Sequence, residues 1–273
     1  MRLVLLGVRG STPAPGAEFV RYGGHTSCVA VYADGATDPA LVLDAGTGLR
    51  SLTARLSTQA FSGAILLSHL HWDHAQGLPF FTAGDRQASV VDVYLPGQRG
   101  ESARQLLTRM MSPPSFPLEP SGLNGTWNLH ALDAGRFQVG GFAVRAADIA
   151  HKGGRTFGYR IEDSSGAVAY FPDHSPVQGC SDEARALIAG ADVLLHDAQF
   201  LEAERAAAHE YGHATVGEAI SVAAEGQVKR LVLFHHSPTR TDDQLDEIAA
   251  SAEVMQAPIS VVMAREGDNL VVG

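Results

Sequence analysis

The sequence predicts an α/β protein of mixed strands and helices, a pattern that fits a two-layer sheet core clad by helices. Three observations predict it. Short apolar runs of strand length recur through both halves of the chain. Stretches of helical character with capping patterns lie between the later runs. No repeat, low-complexity tract or long linker divides residues 1–273, which read as one domain. At 273 residues the chain can bury one large core or two small ones.

Residues 3–6 read as a first strand. A signal peptide is not expected there, because Gly7-Val8-Arg9-Gly10 breaks the apolar run too early. Runs at 28–32, 41–43, 65–67 and 90–95 read as further strands between Gly- and Pro-rich turns. Residues 101–111 read as a helix. Residues 112–126, rich in Pro, Ser and Gly, read as a surface loop and a candidate active-site flap. Strands are expected again at 142–145, 157–161, 168–171, 193–195, 231–234 and 259–263. Ser181-Asp182-Glu183 opens a helix that Gly190 closes. Thr215-x-x-Glu218 is a capping box opening an Ala-rich helix that stops near Gly226, and Thr241-x-x-Gln244 opens the last helix in the same way.

Hydrophobic residues make up 45% of the chain and charged residues 18%, the proportions of a soluble globular protein. No apolar stretch reaches the length of a membrane span, so no membrane partner is expected. The two cysteines, Cys28 and Cys180, form no disulfide framework and suit a reducing cytoplasm, although a pair between them is geometrically open. The net charge of −10 argues against tight, non-specific binding of nucleic acid, which needs a basic face.

Chemistry concentrates at residues 68–74, Ser-His-Leu-His-Trp-Asp-His, directly after the apolar run Ala64-Ile65-Leu66-Leu67. His69, His71, Asp73 and His74 fall within one short turn at a strand's end. Imidazole and carboxylate are ligands of zinc, and a divalent cation accounts for their convergence.

His-x-His-x-Asp-His after a strand resembles the signature of the metallo-β-lactamase superfamily. The resemblance runs nearly end to end, and it implies a four-layer αββα sandwich with a dinuclear metal site at one edge. His151, before Lys152-Gly153-Gly154, is similar to the family's next histidine ligand. Asp173, ending 169–172, is similar to its bridging aspartate, and His235, ending 231–234, to its last histidine. By this resemblance His69, His71 and His151 would hold one metal, Asp73, His74 and His235 the other, and Asp173 would bridge them. The pattern His-x-Ser-Pro favours His235, with the adjacent His236 as the alternative. Asp44, in Leu43-Asp44-Ala45-Gly46, is the candidate to support a ligating imidazole. Two divalent ions are implied, zinc by default, with manganese or iron the alternatives for an all-His/carboxylate set. Such a pair, about 3.5–4 Å apart, can share a bridging hydroxide and clamp the oxygens of a phosphoryl group. Asp73 or Asp173 would orient the nucleophile.

The C-terminal third, with His196-Asp197-Ala198-Gln199-Phe200, Gly212-His213-Ala214-Thr215 and Phe234-His235-His236-Ser237-Pro238, resembles the ribonuclease Z-like branch. That branch cleaves phosphodiesters, and the resemblance gives His213 the position beside the scissile phosphate. His213 also precedes a capped helix N-terminus, which favours an anion, so it is a candidate general acid. Asp197 and Gln199 depart from the Glu and Thr of that branch, and no extended basic arm for transfer RNA is found. The start of the chain, 7–28, is more similar to phosphoribosyl 1,2-cyclic phosphodiesterases. The expected substrate is therefore a small, cyclic phosphodiester, a cyclic nucleotide or ribose cyclic phosphate. Nucleic acid is not expected as a partner, and a homodimer is. Arg9, Arg21, His25, Lys152 and Arg155 are candidates to bind phosphate. The competing readings are a transfer-RNA 3′ endonuclease, a lactam, lactone or thioester hydrolase, and a non-catalytic metal-binding scaffold.

Overall fold

The computed structural model describes residues 1–273, apart from the side chains of Gln178 and Ala252. Six strands make up most of the first sheet: β1 (Arg2–Gly7), β2 (Cys28–Tyr32), β3 (Leu41–Leu43), β4 (Ser62–Leu66), β5 (Val90–Pro96) and β6 (Thr126–Leu132). Seven more follow: β7 (Gly135–Val139), β8 (Phe142–Ile149), β9 (Thr156–Asp163), β10 (Gly166–Phe171), β11 (Val193–Asp197), β12 (Arg230–Phe234) and β13 (Ser260–Met263). The last, β14 (Asn269–Val271), returns to the first sheet. The strand orders are β14-β1-β2-β3-β4-β5-β6 and β13-β12-β11-β10-β9-β8-β7. β3 to β6 run parallel, as do β10 to β13.

Alternation along the strands builds three apolar layers. Leu3, Leu5, Val29, Val31, Leu41 and Leu43 of the first sheet face Val144, Tyr159, Ile161, Val168, Tyr170 and Val232 of the second. The opposite faces carry Val4, Leu6, Ala30, Val42 and Ile65 on one side of the molecule, and Ala169, Phe171, Leu194, Leu231 and Leu233 on the other. Strands covered on both faces have no polar register, which is why they read as unbroken apolar runs. The helices are α1 (Trp72–Ala75), α2 (Ala103–Met110), α3 (Asp182–Ile188), α4 (Arg205–Tyr211), α5 (Val216–Glu225), α6 (Asp242–Ala249) and α7 (Ala252–Met255). Leu106 and Leu107 of α2 cover the first sheet. Leu187 of α3, Ala219 and Ala223 of α5 and Leu245 of α6 cover the second. The result is the αββα sandwich expected from the resemblance.

The capping boxes at Thr215 and Thr241 form as the sequence predicts, and Ser102 makes a third at α2. The sequence reading misses β6, β7, β14 and α4. β6, β7 and β14 lie at sheet edges with partly wet faces, so their residues alternate with polar ones and show no apolar run. β6 also begins inside the stretch read as loop. Cys28 and Cys180 are both free, in layers on opposite sides of the molecule. No helix of the described residues is long and apolar enough to cross a membrane.

Polar ties join the two sheets along one edge. The Tyr159 hydroxyl donates to the Leu67 carbonyl (2.7 Å) and the Tyr170 hydroxyl to Asp44 Oδ2 (2.8 Å). The Phe157 amide donates to the Ser68 carbonyl (2.8 Å), and the His236 amide to the Val8 carbonyl (2.9 Å). Every candidate ligand stands at this edge, beyond the ends of β4, β8, β10 and β12. In sheets with parallel strands, such strand ends are where sites form.

Candidate metal centre

The run after β4 leaves the sheet through Ser68 and His69 and turns into the single turn of α1, so that His69, His71, Asp73 and His74 fan toward one point. The turn is seated backbone to backbone on the residues after β3. The Ala45 amide donates to the His74 carbonyl (2.7 Å) and the Gly77 amide to the Ala45 carbonyl (2.8 Å). A Cβ at Gly46 would lie 2.3 Å from the Asp73 carbonyl oxygen, so only glycine permits this approach.

Two groups of donor atoms result. His69, His71, His151 and Asp173 form one, and Asp73, His74, His235 and Asp173 the other, each with its atoms within 4.8 Å of one another. Asp173 belongs to both and gives one oxygen to each. Its Oδ2 is 3.4 Å from His69 Nε2 and 3.3 Å from His151 Nε2, and its Oδ1 is 3.2 Å from His74 Nε2 and 2.8 Å from His235 Nε2. Asp73 Oδ2 is 3.2 Å from both His74 Nε2 and His235 Nε2.

The donor set fits divalent ions. Nitrogen and oxygen ligands about 2.1 Å from a tetrahedral ion stand roughly 3.4 Å from one another, close to the spacing found here. His69 Nε2 is buried without a hydrogen-bond partner, although polar atoms crowd it. Burial and neighbouring imidazoles push His69 down, and burial is the main cause of the lowering at His71 and His151, which leaves all three as neutral donors. On the other side burial opposes charge, but Asp173 and Asp73 outweigh it, raising His74 well above its ordinary value and His235 to about 10. Burial would likewise raise Asp73, yet His74 and His235 hold it far below the usual carboxylate range. These carboxylates demand positive charge, which a cation supplies as readily as protons do.

Asp44 takes the supporting position read from the sequence. Its Oδ2 is 2.7 Å from His74 Nδ1, and it also accepts from the Ser68 amide (2.6 Å), the Ser68 hydroxyl (2.8 Å) and the Tyr170 hydroxyl (2.8 Å). Asp44→Asn is expected to weaken metal binding about 10–100-fold, read by competition with a chelator, because the His74 ring loses its acceptor. Unchanged affinity would show that Asp44 only closes the turn.

His235 rather than His236 faces the cluster. His235 adopts φ 58°, a left-handed conformation rare in non-glycine residues, which turns it inward. His236 points away, 2.9 Å from the Ala264 carbonyl, and burial lowers it to about 3. Ser11 and Asp44 share the left-handed backbone, with φ of 63° and 56°. This turn aims the Ser11 amide at Asp73 Oδ2 (2.6 Å). A Cβ at Gly10 would sit 2.3 Å from His235 Nδ1, so the ring packs where a side chain would otherwise be.

His213 stands beside the second group. Its Nδ1 is 2.8 Å from Asp197 Oδ2, and its ring stacks on His235 with centroids 5.2 Å apart. Burial disfavours the imidazolium, but Asp197 more than compensates and raises His213 above its ordinary value. Asp197, His213 and His235 form a third close set of donor atoms. His213, Ser11, Trp72, Asp73 and Asp173 line a cavity of about 440 Å³ over the cluster.

The sequence reading assigns no role to Ser11 or Asp197. Asp197 is legible, since a histidine beside a phosphate needs an acceptor for its second nitrogen. Ser11 acts through its backbone, for which residue type carries no signal.

The candidate phosphate binders lie elsewhere, with one exception. Arg9 is fully buried and donates to the carbonyls of Gly23, Ser237 and Arg240 and to Asp242, clamping the start of the chain to the segment before α6. Arg21 pairs with Asp243 and Asp246, His25 lies by Thr47, and Lys152 donates to the Glu210 carbonyl. Arg155 is bound by Asp148 and Asp133 but lines a cavity beside His69 and His71. Arg9→Ala is expected to destabilise the fold by about 3–5 kcal/mol, since it removes the cation paired with buried Asp242 and the donor to the Gly23, Ser237 and Arg240 carbonyls. Denaturant unfolding checks this. A stable variant with raised KM would return Arg9 to the phosphate.

The Beta-lactamase superfamily domain matches residues 40–236. Ribonuclease Z of Nocardia farcinica is 31% identical over 240 residues, covering 69% of this chain and 74% of that protein. Human tRNase Z, short form, superposes over 100% of both chains with TM-score 0.70 at 22% identity. A diphosphatase of the PhnP family superposes with TM-score 0.71 at 20% identity, over 100% of this chain and 98% of that one. At such identities the two structures speak for the fold alone. The chain belongs to the metallo-β-lactamase superfamily. Within it, the chain falls in the branch that holds ribonuclease Z, and it is an enzyme of the metal-dependent hydrolase class.

Proposed function

We propose that the protein is a phosphodiesterase with two divalent metal ions, acting on a small, cyclic phosphodiester. The observation that carries this reading is Asp173, whose two oxygens each face a separate group of imidazoles. His69, His71 and His151 would hold one ion with Asp173, and Asp73, His74 and His235 the other. Zinc is the first choice, with manganese and iron the alternatives for a set without sulfur. Ions so bound supply Lewis acidity toward phosphoryl oxygens and lower the pKa of water.

The protein's own groups divide the remaining work. Asp73, favoured in its ionised form by His74 and His235, orients the attacking water. The Ser11 amide fixes its carboxylate. His213, whose charged form Asp197 favours, gives its proton to the leaving oxygen. A reducing cytoplasm suits the two free cysteines.

A second reading is a ribonuclease, as the Nocardia relative is named and as human tRNase Z is for transfer RNA. Arg99, Arg109 and Arg155 around a cavity of about 430 Å³ beside His69 and His71 favour it, and they weaken the expectation that nucleic acid is no partner. The overall charge of −10 favours the small substrate.

The test is turnover of bis(p-nitrophenyl) phosphate by metal-analysed protein beside its Asp73→Ala variant, with a precursor transfer RNA as the competing substrate. The proposal expects about two ions per chain, turnover lost in the variant, and cyclic phosphodiesters preferred over RNA. Bound metal without phosphodiester cleavage would put a carbonyl hydrolase or a scaffold in its place. Salt-sensitive RNA cleavage as the faster reaction would establish the ribonuclease.

A further inference from the structure

The metal motif carries a tryptophan that neither reading uses. Trp72 stands between His71 and Asp73, and its side chain is 74% exposed. It lines the cavity over the cluster and also a second cavity of about 280 Å³. The second cavity lies under the 112–123 segment, with walls from Phe80, Met110, Phe116, Leu123 and Trp127. Phe80 and Phe116 meet edge to face across it at 5.8 Å, and Phe80 is itself 62% exposed. Large apolar side chains left open to water beside a cluster of charge mark a binding surface.

We infer that this cavity receives a hydrocarbon substituent, an aromatic ring or branched alkyl group, of the phosphodiester whose phosphate lies at the metal cluster. The inference rests on the phosphodiesterase reading and narrows its substrate. Trp72 lines both cavities, so a molecule seated at the cluster lies beside the second one. The cavity is at the small end for a whole ligand and suits part of one. The walls also decide against a nucleobase. A base brings several hydrogen-bonding edges, whereas the lining offers as polar side-chain groups only Gln76, Ser115 and two indole N–H groups, that of Trp127 already taken by the Asn124 carbonyl. Polar edges buried without partners are strongly selected against. A bare ribose cyclic phosphate would leave the cavity unfilled.

The chain has two tryptophans, Trp72 and Trp127, and both line this cavity, so intrinsic emission reports on it directly. The metal-loaded protein is titrated with diphenyl phosphate, dimethyl phosphate and adenosine 2′,3′-cyclic phosphate, and emission and hydrolysis are followed separately. Diphenyl phosphate is expected to give a saturable change and to bind roughly a hundredfold tighter than dimethyl phosphate, since each buried methylene equivalent contributes about fourfold. Phe116→Ser, and independently Leu123→Gln, should shrink that ratio at least about tenfold, with metal content as the check on folding. Equal binding of the two simple diesters, or tighter binding of the adenosine compound, would overturn the inference. Saturable binding of diphenyl phosphate without hydrolysis of any diester would support the cavity assignment while the phosphodiesterase reading fails.

Discussion

Asp173→Ala is expected to empty both metal positions and reduce turnover by about a thousandfold or more. No other candidate ligand belongs to both principal groups, because Asp173 alone turns one oxygen toward His69 and His151 and the other toward His74 and His235. The residue is 1% exposed, and a water entering from the cavity over the cluster would bring no negative charge in place of the carboxylate. Its removal also takes from His74 and His235 a carboxylate that favours their charged forms, and the metal-free cluster should loosen. Metal analysis after gel filtration gives the first readout, and thermal unfolding with and without a chelator gives the second. The wild type should lose stability on chelation, by about 2.7 kcal/mol if free metal stood at a hundred times its Kd. The variant should show no response. Retention of one ion with most of the activity would mean that the two groups act separately and that the carboxylate does not join them.

His213→Ala is expected to lower kcat by about 10²–10⁴-fold while both metal positions remain filled, which is the range for a general acid removed from an otherwise intact site. The 2.8 Å link from His213 Nδ1 to Asp197 Oδ2 favours the charged ring and leaves its other nitrogen for the cavity. Asp197→Asn should therefore lower kcat by a comparable factor, and the double variant should be little worse than either single one, because the two residues act as a unit. Asp197 also accepts from the amides of His174 and Gln199, so unfolding midpoints must accompany the rates. A substrate with a strongly acidic leaving alcohol should suffer least in both variants, since its oxygen departs without a proton. Loss of metal from His213→Ala would instead make the residue a ligand of the third close set.

What the sequence discloses depends on how each feature is encoded. The candidate ligands were legible because they are side chains in a contiguous run or at the ends of apolar strands. The central strands were legible because burial on both faces removes polar residues. Edge strands such as β6 carry Thr126, Asn128 and His130 on a wet face and merge with the loop before them. Arg9 looked like a phosphate ligand because a buried, carbonyl-capped guanidinium and an exposed one have the same residue letter. The apolar cavity was hidden because Trp72, Met110, Phe116 and Trp127 come from four separate segments, and only the fold brings them together. The Ser11 contact is written in a φ of 63°, not in a side chain.

The candidate ligands are shared out between two slabs: His69, His71, Asp73 and His74 follow β4, whereas His151, Asp173 and His235 follow strands of the other sheet. The apolar layer between the slabs, with Leu43, Leu66, Tyr159 and Phe234, therefore works as the shim of a caliper whose jaws are the two halves of the cluster. Protein interiors are stiff and densely filled, so a change of volume in that layer is transmitted rather than absorbed. The bite of the jaws, and with it the spacing of the ions they would hold, is set as much by the girth of these hydrocarbons as by the histidines themselves.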